Sequence, residues 1–182
     1  ALLRLEARMQ EFTSDEGELG QVRKLLTWSR DTAQRALNEH AEAWATSAQQ
    51  VKQRHGFALQ PQPGLVPLGA NPHTNLQEFL DLASHASGEP LPTRDPNTGE
   101  LQLSPRCGIV FVLVAPGSLH MGAQRETGLP QRDPLAQDAE LGGGQVMLSE
   151  FLLASTELTQ WQWHALGGPE PSRSEEHTSE LQ

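Results

Sequence analysis

The sequence predicts an α+β fold in which N-terminal helices precede a loop-rich region of short strands. Three observations predict it. Gln21 to Arg54 contains neither glycine nor proline, and its apolar residues recur every three to four positions, the spacing of one helix face. Ile109 to Val114 is an unbroken apolar run rich in β-branched side chains, too short for an ordinary helix and suited to a strand covered on both faces. Between and beyond these lie segments dense in proline and glycine, or devoid of periodicity, as connecting chain is.

Residues 1–55 read as a helical connector or stalk. Leu2, Leu5, Met9 and Phe12 form a helical stripe, and the acidic stretch Thr13–Gly20, with two glycines, should break or kink the helix. The stripe then resumes with Val22, Leu25/Leu26, Ala33, Ala36/Leu37, Ala41, Trp44, Ala48 and Val51. At ~1.5 Å per residue, one helix over Gln21–Arg54 would reach about 50 Å. It would have to pack on the following domain, pair with the first helix, or continue a coiled stalk. Its heptad is alanine-rich and imperfect, which favours two packed helices over a long coiled coil. Gly56 ends the helix.

Residues 56–106 read as an extended segment, a short helix and a hairpin. Pro61–Pro72 is rich in proline and glycine yet carries Leu65, Val66 and Leu68, an ordered stretch expected to lie on a domain surface. Thr74-Asn75-Leu76-Gln77 matches a capping box. The helix expected from it runs to about Ser84, with Leu76, Phe79, Leu80 and Leu82/Ala83 on one side and Glu78 and Asp81 on a solvated face. Asp95-Pro96-Asn97-Thr98-Gly99 is turn-forming and suggests a hairpin between Leu91–Arg94 and Glu100–Leu103.

In residues 107–172 the apolar strand meets a turn at Ala115-Pro116-Gly117. Leu119 and Met121 then alternate with Ser118 and His120, as a returning strand with one buried face would. Ala123–Gly144 lacks periodicity and reads as a long loop, of the kind usually functional or mobile in a compact domain. Thr159-Gln160-Trp161-Gln162 offers a second capping box, opening a short helix that Gly167-Gly168 would close.

Two of these segments carry a resemblance. Val114–Gly122, a hydrophobic strand with a Pro-Gly turn and Met-Gly, resembles the opening motif of the formylglycine-generating enzyme (sulfatase-modifying factor) family. Phe151–Trp163 resembles its second block, and Gly168–Ser172 sits where the family often has Gly-x-x-Pro-Ser. The similarity spans about a third of the chain. A weaker likeness joins the segment ahead of it to the region preceding such domains in bacterial kinase-linked proteins. The resemblance implies a C-type-lectin-like domain, present here as its N-terminal part. It further implies oxidation of a sulfatase cysteine to formylglycine with oxygen, copper and a pair of active-site cysteines. Those cysteines lie in the family's C-terminal portion, so this fragment is predicted inactive, with no catalytic, cofactor-binding or metal residue of its own. Such a parent could alternatively be a non-catalytic binding module of a bacterial signalling protein, or the helices an oligomerisation stalk. It would be cytoplasmic or periplasmic.

The residue chemistry agrees with that reading. Cys107, the single cysteine, precludes an internal disulfide and reads as a small buried apolar residue. His40, His55, His73, His85, His120, His164 and His177 form no metal-type pair, and His120 is expected to face solvent. Ser118 and Ser155 have no triad partners in view. The resemblance makes Glu157 a corner residue whose carboxylate takes backbone amides, while Trp161 and Trp163 read as core. With 23 acidic against 13 basic residues, a net charge of −10 and no basic cluster, the chain is a poor candidate for nucleic acid, and no nucleic-acid partner is expected; the resemblance allows a protein substrate or protein partner. No apolar run approaches the ~20 residues that span a bilayer. Ala1 opens inside helix-like sequence, as an internal fragment would. Arg173–Gln182 (RSEEHTSELQ) resembles, residue for residue, one frame of a common sequencing-library adapter and is expected to be an artefact tail.

Overall fold

The computed structural model describes residues 2–125, 128, 132–141 and 143–168; Arg173–Gln182 and His177 lie outside the described residues. The chain divides into two compact units, Ala1–Val112 with Ala154–Gln182, and Leu113–Leu153.

The first unit opens with α1 (Leu2–Thr13), α2 (Glu18–Glu39) and α3 (Ala41–His55). The acidic glycine segment does interrupt the helix: the Ser14 amide closes α1 on the Gln10 and Glu11 carbonyls, and Gly17 lies so near the Glu11 carbonyl that a Cβ would collide with it. The long periodic span is two helices. His40, at φ −111° and ψ 22°, leaves helical geometry although neither Gly nor Pro marks the place. Gly56 ends α3 in the left-handed region (φ 78°), where a side chain would be strained. The helices differ in what they bury. On α3, Trp44, Ser47 and Val51 are buried, and Trp44 stacks on Phe79 at 5.2 Å. Leu5, Met9, Phe12, Val22, Leu25 and Leu26 on α1 and α2 remain exposed.

A four-stranded sheet has the order β1 (Leu65–Ala70), β2 (Gln77–Asp81), β5 (Val110–Val114), β8 (Phe151–Ala154). β1 pairs antiparallel with β2, and β2 with β5, placing Val66 opposite Leu80 and Phe79 opposite Phe111. Val66, Leu80, Cys107 and Val110 form the buried cluster, with Leu68, Leu82 and Leu101 packed around it. Two expectations are corrected here. Pro61–Pro72 is extended, but Leu65, Val66 and Pro67 are interior rather than surface chain. Leu76–Ser84 is no helix: its core is β2, buried on both faces. The capping box fails because the Thr74 hydroxyl accepts the Leu76 amide, Asn75 turns the chain at φ 59°, and the Gln77 side chain reaches Gln50 at 2.6 Å. A short strand apolar on both faces carries the same residue spacing as a helical turn, and tertiary pairing decides between them.

The sheet's β1 edge is blunted by Pro67 and by a bulge between Pro67 and Gly69. The expected hairpin is present and narrower, β3 (Thr93–Arg94) with β4 (Leu101–Gln102). Its turn is held by the Asp95 carboxylate, which accepts the Asn97 and Thr98 amides at 2.8 and 3.1 Å. The unit closes with α4 (Gln160–Ala165), opened by the capping box predicted at Thr159.

In the second unit, β6 (Gly117–His120) pairs with β7 (Gln145–Leu148), Leu119 opposite Val146. β6 therefore follows the turn as expected, but its ladder partner is β7 and its apolar residues gain no cover: Leu119 and Met121 are exposed. The intervening chain carries bridges Ala123–Leu141 and Gln124–Arg132 and a 3-10 turn at Asp138–Glu140. One glycine of the glycine run has a steric purpose: Gly143 approaches the Met121 carbonyl so closely that a Cβ would overlap it.

Candidate functional site

The polar groups of the first unit gather at two places. At the first, Glu78 on β2 is 6 % exposed and its Oε2 accepts Arg94 Nη2 at 2.7 Å, while Oε1 accepts Asn71 Nδ2 at 2.9 Å. Arg94 also donates to the carbonyls of Gly99 (3.1 Å), Gly69 (3.3 Å) and Leu68 (3.4 Å). The guanidinium thus ties the hairpin to the β1 bulge while neutralising a carboxylate that could not be buried alone. Glu78 is no solvated residue. On a strand, Glu78 and Asp81, three apart, project to opposite faces, so they form no acid/base pair.

At the second place, the loop after β2 grips the chain entering β5. The Asp81 carboxylate accepts the Ser84 hydroxyl at 2.6 Å and the Ser84 amide at 3.0 Å. Ser84 is fully buried, and its Oγ accepts the Ile109 amide at 2.9 Å. His85 Nδ1 faces the Gly108 amide at 3.1 Å and Nε2 faces the Glu89 carbonyl at 3.1 Å. Gly108 is needed here, since a Cβ would strike the Asp81 carbonyl. Beside it, Cys107 is buried as expected. Burial, and then the negative charge of Glu89, push its thiol above the ordinary cysteine value, so it stays protonated and unreactive.

α4 joins this place through one side chain. Thr159 Oγ1 accepts the Gln162 amide, Gln162 Oε1 accepts the Thr159 amide at 3.0 Å, and Gln162 Nε2 donates to the Cys107 carbonyl at 3.3 Å. Gln162 is the buried residue of α4; Trp163 is 41 % exposed and is not core. Trp161 is half-buried with Arg106 4.8 Å from its ring centroid, a cation–π arrangement.

The remaining expectations divide. Glu157 is exposed and accepts no amide among the described residues. It precedes α4, whose first amides are satisfied by Thr159 and Gln162 instead. His120 is half-buried against Gln124 at 2.6 Å rather than facing solvent. Ser118 Oγ accepts Gln145 Nε2, Ser155 is exposed, and neither meets a histidine among the described residues. Among the described residues no group of three His, Cys, Asp or Glu side chains could hold a metal ion. A cavity of about 550 Å³ lies between α2 and the 82–91 loop, with Trp28, Ala36 and Leu82 among its apolar walls.

Pattern reading does not single out Ser84, His85 or Arg94. Only Asp81-x-x-Ser84, a spacing suited to a side-chain-closed turn, could flag the first of them. Chemically, each carboxylate and hydroxyl of the two networks is already engaged by a backbone amide or a guanidinium; the arrangement builds scaffold. No protein-family model matches the chain, and neither does any curated protein or solved structure.

Proposed function

We propose that the chain is the scaffold-forming N-terminal part of a formylglycine-generating-enzyme-like protein, carried behind a helical connector. In this reading, oxidation of a sulfatase cysteine to formylglycine belongs to a C-terminal portion of the domain. The observation that supports it is the seat of the capped helix in the second resembling block. The capped helix of the second block, through Gln162, is bonded to the Cys107 carbonyl just ahead of the strand that leads into the first. Copper and a redox-active cysteine pair do not fit the residues present, because the single cysteine is buried and its thiol is pushed above the ordinary value. The test is to express the longer parent protein that this reading requires, continued past Ser172, and offer it a sulfatase-type peptide with copper and oxygen. Conversion of the peptide's cysteine to formylglycine supports the reading. A continuous frame that lacks a cysteine pair and converts nothing contradicts it and favours a binding module.

A second reading, an oligomerisation stalk at residues 1–55, is favoured by the exposed Leu5, Met9 and Phe12 of α1 and Val22, Leu25 and Leu26 of α2. Sedimentation of the whole chain decides it: self-association that Leu25→Gln with Leu26→Gln abolishes supports the stalk, and a monomer removes it.

A further inference from the structure

We propose that His85 is a protonation-sensitive latch that fastens the loop after β2 to the entrance of β5. The hydrogen-bond geometry leaves the ring one state. A backbone amide can only donate, so Nδ1, 3.1 Å from the Gly108 N–H, must present a lone pair. A backbone carbonyl can only accept, so Nε2, 3.1 Å from the Glu89 oxygen, must carry the proton. The neutral Nε2–H tautomer satisfies both partners. The imidazolium, with a proton on each nitrogen, sets an N–H against the Gly108 N–H and leaves that interior amide without an acceptor.

On its Cα side Gly108 is closed in: a carbon added there would meet the Asp81 carbonyl and the His85 amide. It is also interior chain, lying between buried Cys107 and Ile109. The neighbouring ties do not involve an imidazole: the Asp81 amide donates to the Ile109 carbonyl at 2.8 Å, and Ala86 to the Arg106 carbonyl at 3.2 Å. The latch is therefore one titratable bond set among bonds that an imidazole proton does not touch, and acid should open the Gly108 contact ahead of the rest.

The charged and titratable groups around the ring come from three elements. The loop itself supplies Asp81 and Glu89, and the chain entering β5 supplies Arg106 and Cys107. Across the cavity of about 550 Å³ that His85 helps line, α2 supplies Arg35 and Glu39, and His40 follows at its end. His40 is the second imidazole on the wall of that cavity, so it is the control.

The experiment is amide exchange of the 182-residue chain by NMR across the imidazole titration, corrected for the intrinsic pH dependence of exchange. Gly108 should lose about five- to a hundredfold of its protection as the ring protonates, while the Asp81 amide keeps its own. His85→Asn offers a side-chain oxygen in place of Nδ1 and should make Gly108 protection independent of pH; His40→Gln should leave the wild-type response intact. Where His85→Asn does not fold, the ring's nitrogen shifts in the wild type decide. A proton on Nε2 and none on Nδ1 at neutral pH supports the latch. A proton on Nδ1, a Gly108 protection unchanged across the titration, or a response lost in His40→Gln overturns it.

Discussion

Replacing Arg94 with methionine should cost the protein about 3–5 kcal/mol, the penalty for breaking a buried ion pair by removing one partner. The magnitude comes from where the charges sit. The Glu78 side chain is 7 % exposed and that of Arg94 23 %, so water screens the 2.7 Å contact poorly and cannot take the guanidinium's place. After the substitution, Glu78 retains only Asn71, and the carbonyls of Leu68, Gly69 and Gly99 lose their shared donor. Glu78→Gln should be milder, about 1–2 kcal/mol, because the amide oxygen still accepts from Arg94 while the charge assistance is gone. Replacing both residues, Arg94 by methionine and Glu78 by leucine, should cost less than the sum of the singles by about 0.5–3 kcal/mol, because the second change removes the stranded charge. Urea unfolding followed by tryptophan fluorescence is the assay, since Trp44 stacks on Phe79, the residue after Glu78. With a slope of roughly 1–3 kcal/mol per molar urea, the Arg94→Met midpoint should fall by at least about 1 M. A loss under about 1 kcal/mol, or strict additivity in the double variant, would refute the claim that this pair is buried and coupled.

Three further outcomes are expected. Gly143→Ala should destabilise the second unit by about 1–3 kcal/mol, because its Cβ meets the Met121 carbonyl, whereas Gly144→Ala, with open space around it, should be near neutral. Amide exchange at Leu119 and Val146, paired across β6 and β7, separates the two, and equal behaviour contradicts the packing. Thr159→Ala should lose about 0.5–2 kcal/mol by uncapping α4 and weakening the seat of Gln162 on Cys107; thermal unfolding indistinguishable from the parent would count against the cap. The Asp95 carboxyl is held below its ordinary value of 3.8, first by the Asn97 amide and then by the Thr98 amide. A depressed carboxyl stabilises the fold above its unfolded value, and that contribution disappears as pH falls through the lowered value. A carboxyl titration at or above 3.8 in the folded protein would contradict the turn geometry.

How much of the fold is legible in the sequence depends on how far each signal travels along the chain. Gly56, the Asp95–Gly99 turn, the Thr159 capping box and the apolar run into β5 are local devices, and each is found where its residues stand. The division at His40 has no glycine or proline to announce it. β2 is ambiguous because Leu76, Phe79 and Leu80 fit a helical stripe as well as a doubly buried strand; the choice rests with β1 and β5, the latter some thirty residues away in sequence. Glu78 reads as solvated because its partner Arg94 lies 16 positions on. The role expected of Glu157 comes from the resemblance alone and that of Trp163 from its aromatic bulk alone; here Thr159 and Gln162 satisfy the amides at the start of α4, and Trp163 stays 41 % exposed.

The proposed function places its catalytic portion in a longer parent protein, and it rests most heavily on the reading frame that this proposal puts after Ser172. Mass spectrometry of a sulfatase-type peptide incubated with the product of that frame, copper and oxygen tests it directly. The predicted result is a frame bearing a cysteine pair and a peptide cysteine converted to formylglycine. An intact frame with no such pair and an unmodified peptide would contradict it.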